Sequence, residues 1–193
     1  LILCGSSQQL MHGYVLNKQS PLYGLANEII KMQPIPLRYI GIAMECDAIQ
    51  AVKEFAIWGG VPRYWEVRRD YPDTETAIRK VLLDPQGVLI EEPQRLLRDD
   101  MRDTIQATSL LTIIGNGANK PSEIASRVGK DTSAISEPLS KLCDLGYVCR
   151  EVPFGENPKK SKKGLYHIND SLLRFHYQFI TPYRSLLELG KID

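Results

Sequence analysis

The sequence predicts a mainly α protein with minor β, a helical bundle followed by a winged helix-turn-helix. Three observations carry that expectation. From Asp47 onward, apolar residues recur at helical spacing in segments closed by glycine. Between Thr104 and Asp170, three such segments precede two short strand-like runs that flank a polar, lysine-rich loop. The 193 residues are 43% hydrophobic and 24% charged, ordinary for a globular chain, and no apolar run approaches the ~20 residues of a membrane helix.

The elements follow in order. "LILCGSS" reads as a buried strand ending in a small polar loop, as parallel strands of α/β sheets do, yet no second such unit follows it. "QQLMHGYVL" is expected as a short helix. "NKQSPLYGLANEI" is broken by Pro21 and Gly24, and "IKMQPIPLRYIGI" is irregular. "DAIQAVKEFAIWGG" has Asp47 as its cap and Ile49, Val52, Phe55 and Ala56 as its apolar positions, with Gly59 and Gly60 closing it. A helix restarts after Pro62, another is expected from Asp73 to Leu83, and "GVLIEEPQRLLRDDM" supplies a further turn or helix.

The segment from Thr104 to Asp170 is the most legible. "IQATSLLTIIGNG" is a helix stopped by glycine. "KPSEIASRVG" starts at Pro121, and "KDTSAISEPLSKLCDLGYV" sets Ile135, Leu139, Leu142 and Leu145 on one stripe. "YVCREVPF" and "LYHIND" read as strands, and "GENPKKSKKG" between them is the wing. From Ser171, "SLLRFHYQFITPYRSLLEL" is a strongly apolar helical stretch that leads to another packing surface.

Candidate chemistry is sparse. Cys4, Cys46, Cys143 and Cys149 form no CxxC pair, so they read as free thiols in a reducing cytosol, and the three histidines are far apart. Glu91 and Glu92 read as charges at a helix start rather than as acid/base groups. With a net charge of +1, any case for nucleic acid rests on local clusters. The second helix of the turn pair, Ser133 to Leu145, presents Ser133, Ser136 and Lys141, but also Glu137 and Asp144, and it contains Pro138. That composition disfavours sequence-specific base reading. In the wing, Lys159, Lys160, Lys162 and Lys163 offer salt-sensitive contact with phosphates; the local alternative is a solvated surface loop.

Taken together, "LILCGSS", "SPLYG", "WGGVPRYW", the winged helix and "YHINDSLLRFHYQFI" occur in an order that resembles the archaeal-type ATPases, P-loop proteins of the AAA+/STAND superfamily. The resemblance spans nearly the whole chain. It implies that residues 1–46 are a remnant of the P-loop core, starting at its sensor-1 strand. It further implies that 47–103 are a helical lid-like domain, 104–170 the winged helix-turn-helix, and 171–193 the start of a truncated C-terminal region. By the same resemblance, Ser6 and Ser7 fall where a polar sensor sits beside the γ-phosphate; the local reading is a helix cap. Pro62 matches the GxP turn of the lid, which packs on nucleotide, and Arg63 is placed to reach a phosphate; the local readings are a plain turn and a surface charge. Two positions depart from the pattern. Leu25 stands where an arginine is usual, and His176 stands where a tryptophan is common, a packing position.

The resemblance implies ATP and magnesium in the intact protein. No GxxxxGK[ST] occurs here, so this chain alone is expected neither to hydrolyse ATP nor to bind it tightly. Relatives often carry a nuclease-like domain further on, but after Ser171 only Glu188 and Asp193 are acidic, so that chemistry is not expected in this piece. The expected role is to couple closure over ATP to a DNA- or protein-binding module in the cytoplasm, with no membrane contact. Duplex DNA at the wing, a protein partner, and a second copy pairing through the exposed first strand are the expected partners. The alternatives are a winged-helix DNA-binding transcriptional regulator and a protein-interaction scaffold.

Overall fold

Two neighbouring hydrophobic cores organise the helices of the computed structural model, which describes residues 2–5, 13, 17–30, 32–101, 103–157, 161 and 163–192. The first core is built by residues 35–89 with help from the C-terminal helix. A single 3-10 turn at Leu37–Tyr39 leads into α1 (Ile40–Ala43). The next helix, α2 (Ala48–Trp58), is capped by Asp47, whose carboxylate accepts from the Gln50 amide at 2.8 Å. Pro62 opens α3 (Pro62–Arg69), where a missing N–H costs nothing. Asp73 caps α4 (Thr74–Ala77), which widens into a π turn over Ile78–Leu83, so the helix expected from Asp73 to Leu83 is present but irregular. Trp58, Tyr64, Trp65, Val81 and Leu82 fill this core.

The second core begins with α5 (Glu92–Asp100) and α6 (Thr104–Gly115), the latter capped by Asp103. Then come α7 (Pro121–Val128) and α8 (Thr132–Asp144). The hairpin β1 (Val148–Glu151) and β2 (Leu165–Ile168) closes it, antiparallel, with Val148 opposite Ile168 and Glu151 opposite Leu165. Ile135, Leu139, Leu142 and Leu145 are all buried, as their spacing predicts. The Asn119 carbonyl accepts from the Tyr166 amide at 2.8 Å, and the Tyr147 hydroxyl donates to Asp100 at 2.6 Å, tying hairpin to helices. The chain is mainly helical, and the hairpin is the one sheet among the described residues.

The last helix joins the two cores. Asp170 caps α9 (Ser171–Phe175), which continues as a π turn over His176–Ile180, a 3-10 turn at Thr181–Tyr183 and α10 (Arg184–Glu188). Leu172 and Ile180 pack into the first core, while Leu173 and Tyr177 pack into the second. Successive helical residues point about 100° apart, so one helix serves as a wall of both cores.

Two expectations are corrected. Residues 2–5 do not form a strand; a lone extended segment gains no ladder hydrogen bonds, and no other strand among the described residues pairs with it. The short helix expected in "QQLMHGYVL", like Ser6 and Ser7, falls on residues that lie, Gly13 apart, outside those described. In α2, most of the apolar stripe is turned outward: Ile49 is 70% and Val52 53% exposed and Ala56 is exposed, while Phe55 packs in part on the first core and Ala51, Glu54 and Trp58 are buried. The inner face is instead fixed by an ion pair and an indole, described next.

Candidate functional site

The turn "WGGVPRYW" forms a rigid corner between α2 and α3. Gly59 has φ +65°, which L side chains rarely adopt, and a Cβ there would lie 3.4 Å from the Ser171 side chain. Gly60 leaves no room at all: a Cβ would lie 2.6 Å from the Ile35 carbonyl oxygen, and the Ile35 amide donates to Gly60 at 2.7 Å. The Trp65 indole N–H donates to the Gly59 carbonyl at 2.9 Å and locks the turn. Three segments therefore meet here: residues 34–35, the end of α2, and the start of α9. On the outside of the corner sit Pro62 and Arg63, both exposed. Arg63 contacts Glu66 at 3.2 Å, with both side chains about two-thirds exposed (65% and 66%). Such a surface pair holds the guanidinium only weakly.

Beneath the corner, Glu54 and Arg68 form a buried bidentate pair at 2.6 and 2.9 Å, 2% and 5% exposed. The Trp58 indole donates to the same carboxylate at 3.0 Å, Thr74 at 2.5 Å and Gln50 at 3.2 Å, and Arg68 also donates to the Tyr71 carbonyl at 2.9 Å. Burial alone pushes the Glu54 pKa up; the hydrogen bonds from Arg68, Thr74 and Gln50, with the Arg68 charge, outweigh it and hold the carboxyl below the usual range. A cleft of about 340 Å³ opens above the pair, lined by Cys46, Gln50, Arg69, Tyr71 and Asp73. The pair's groups are engaged by protein, so it stiffens the corner. Sequence reasoning passed over Glu54 and Arg68. The available signal was an acid and a base on the same helical stripes as Trp58 and Tyr64.

In the second core, α8 carries Ser133 and Ser136 on its exposed face, and the Ser136 hydroxyl donates back to the Thr132 carbonyl at 2.8 Å. Lys141 is half-buried, and Glu137 and Asp144 are exposed. In the loop between β1 and β2, Lys163 pairs with Glu156 at 2.9 Å, and Ser161 donates to the same carboxylate at 2.5 Å. These partners lower the Glu156 pKa and raise that of Lys163. Lys159, Lys160 and Lys162 lie outside the described residues. Among the described residues, no group of three His, Cys, Asp or Glu side chains stands where it could hold a metal ion, the four cysteines are unpaired, and no helix is long and apolar enough to cross a membrane.

No family model matches the chain. An uncharacterized protein of Methanocaldococcus jannaschii is 29% identical over 210 aligned positions, which take in 100% of this chain and 44% of that protein. Among solved structures, a Walker-type ATPase of Pyrococcus abyssi superposes with a TM-score of 0.59 at 17% identity, over 88% of this chain and 50% of that one. The chain thus spans about half the length of each protein it matches. At that identity the likeness establishes a shared fold.

Proposed function

We propose that this chain is the lid and winged-helix half of a P-loop ATPase of the AAA+/STAND type. In this reading, α1 to α4 close over ATP, and α6 to β2 form a winged helix-turn-helix that meets duplex DNA. The observation that carries the reading is the outward apolar stripe of α2. Ile49, Val52 and Ala56 lie in water along a helix that ends at the Gly59 corner, and Ile42 on α1 is 78% exposed. A stripe at this spacing is built to be covered. An α/β nucleotide-binding core would cover it, and the fold likeness to half of a Walker-type ATPase supports that occupant.

ATP and magnesium would supply the hydrolytic chemistry and would be held by the phosphate loop of that core. What this chain contributes is a rigid corner whose outer face holds Pro62 and Arg63. Arg63 leaves Glu66 at a cost of about 0–1 kcal/mol and turns to a phosphate. Ser6 and Ser7 act as polar sensors on the same nucleotide. Movement of the corner reaches the second core because Gly59 lies against the start of α9, and α9 is a wall of both cores. At the far end, wing lysines meet phosphates without regard to sequence, since the exposed face of α8 is poor in base-reading groups.

Ile49 and Val52 are exposed here, so changing both to aspartate should leave the stability of the 193-residue chain within about 0.5 kcal/mol. In the protein encoded by the complete gene, the same change should lower magnesium-dependent ATP hydrolysis by about tenfold or more. Unchanged hydrolysis in the double variant would show that the stripe does not dock on the nucleotide-binding core.

A further inference from the structure

We infer that Phe154 is an apolar wedge that enters the minor groove of duplex DNA; this rests on the winged-helix reading above. The ring is the most exposed of the large hydrophobic side chains among the described residues, at 107%. Single exposed apolar residues are common and need no explanation by themselves. This one is presented by a built turn. The Glu156 amide donates to the Pro153 carbonyl at 3.0 Å, and Gly155 has φ +83°. Those are the marks of a type II β-turn, with Phe154 and Gly155 at its two central positions.

The turn is braced from both sides. Glu156 accepts from the Ser161 hydroxyl at 2.5 Å and from the Lys163 ammonium at 2.9 Å. The Arg150 guanidinium donates to the Ser161 carbonyl at 2.5 Å and packs against Gly164 so closely that a Cβ there would collide with it. The ring therefore projects from a loop held at its base by Arg150, Glu156, Ser161 and Lys163. By sequence the hairpin loop is basic. Residues 150–163 hold five bases (Arg150, Lys159, Lys160, Lys162, Lys163) against two acids (Glu151, Glu156), a net of +3.

A protruding phenyl ring on a loop of basic sequence fits a polyanion with an apolar interior. Nucleic acid has both parts, and the ring sits on the hairpin that follows a three-helix unit, where a wing meets the duplex. Single-strand binders line up several aromatic rings along a groove, whereas this loop presents one. One projecting ring suits wedging between base pairs from the minor groove, which unstacks a step and is cheapest at flexible TA steps. The division of labour follows. The lysines give attraction that falls with salt, and the ring gives attraction that salt leaves alone.

The test is binding of the 193-residue chain to a 20-base-pair duplex with central TA steps, titrated in salt. Phe154→Ala should weaken binding about tenfold with no change in the slope of log K against log salt. Phe154→Leu should keep most of the affinity, because a leucine still wedges. Phe154→Trp should report contact by a change in indole emission on adding duplex. All three variants should melt with the parent, since the ring packs on nothing. If Phe154→Ala binds as the parent does while salt-sensitive binding persists, the wedge is refuted and the winged-helix reading stands. If the parent binds no duplex at low salt, both fail. If Phe154 instead governs binding to vesicles rich in anionic lipid and duplex is ignored, the surface belongs to membranes and the inference is overturned.

Discussion

Replacing His176 with phenylalanine removes a group that the fold keeps uncharged, and the consequence should be visible in the pH dependence of stability. His176 lies in the π turn after α9 and is 3% exposed. Burial first, then the nearby Arg184 charge, pushes its pKa from 6.5 down to about 4, with Glu91 opposing. Arg184 is itself held by Glu91 at 2.5 Å and Glu188 at 3.1 Å, so the positive charge stays beside the ring. The folded pKa is depressed. The unfolded chain takes up a proton as pH falls through 6.5, while the folded chain resists until about 4. Stability is therefore fully present above pH 6.5 and drains away as the pH drops toward 4. From pH 7 to pH 5 the change is about 1.4 pH units' worth of proton binding, or about 2 kcal/mol.

Urea denaturation of parent and His176→Phe at pH 7 and pH 5 measures this as a difference of differences. The larger ring costs about 1–3 kcal/mol in strain, but equally at both pH values, so it cancels. The parent should lose about 2 kcal/mol more than the variant between the two conditions. An equal loss in both proteins would refute the reasoning.

Further outcomes follow from the corner and the β1–β2 loop. Arg68→Met leaves the Glu54 carboxylate buried without its partner and should destabilise the chain by about 3–5 kcal/mol, whereas adding Glu54→Leu to it should recover much of that loss; chemical denaturation reads both. Because the Glu54 pKa is held low, the pair's contribution should be intact above the ordinary carboxylate range and fall away in acid, a dependence that the double variant lacks. In the loop between β1 and β2, changing Lys159, Lys160 and Lys162 to alanine should reduce the salt slope of duplex binding by about 3, and adding Lys163→Ala should change it little, since Lys163 already pairs with Glu156. Filter binding across a salt series checks this.

Much of the second core was legible because its helices bury what their periodicity exposes to inspection. Ile135, Leu139, Leu142 and Leu145 are on one stripe in the sequence and in one core in the structure. Asp47, Asp73 and Asp103 each precede a helix and cap it, as short acidic side chains do. In α2 the helix, its Asp47 cap and its glycine stop were legible, but not which face turns inward, and for a physical reason. Periodicity finds the apolar face of a helix but not the partner that covers it, and here the described chain packs against the opposite face. That inner face depends on Glu54 and Arg68, 14 positions apart on different helices, and no local pattern pairs them. The π turns at 78–83 and 176–180 were equally hidden, since one extra residue in a turn leaves no compositional mark. Of the candidate site residues, Pro62 was legible as a turn because proline at a helix start has a fixed meaning. The tightness of that turn comes from Gly60 meeting Ile35, a contact between segments 25 residues apart in the sequence.

The central claim, that the Gly59–Trp65 corner closes over ATP, is tested most directly by amide hydrogen exchange on the protein encoded by the complete gene, with and without ATP and magnesium. The account predicts that amides of residues 59–65 exchange more slowly once nucleotide is bound. It also predicts that the α2 stripe around Ile49 and Val52 is protected in both states, because the core covers it. Nucleotide binding that leaves residues 59–65 exchanging as before, or no nucleotide binding at all, would contradict it.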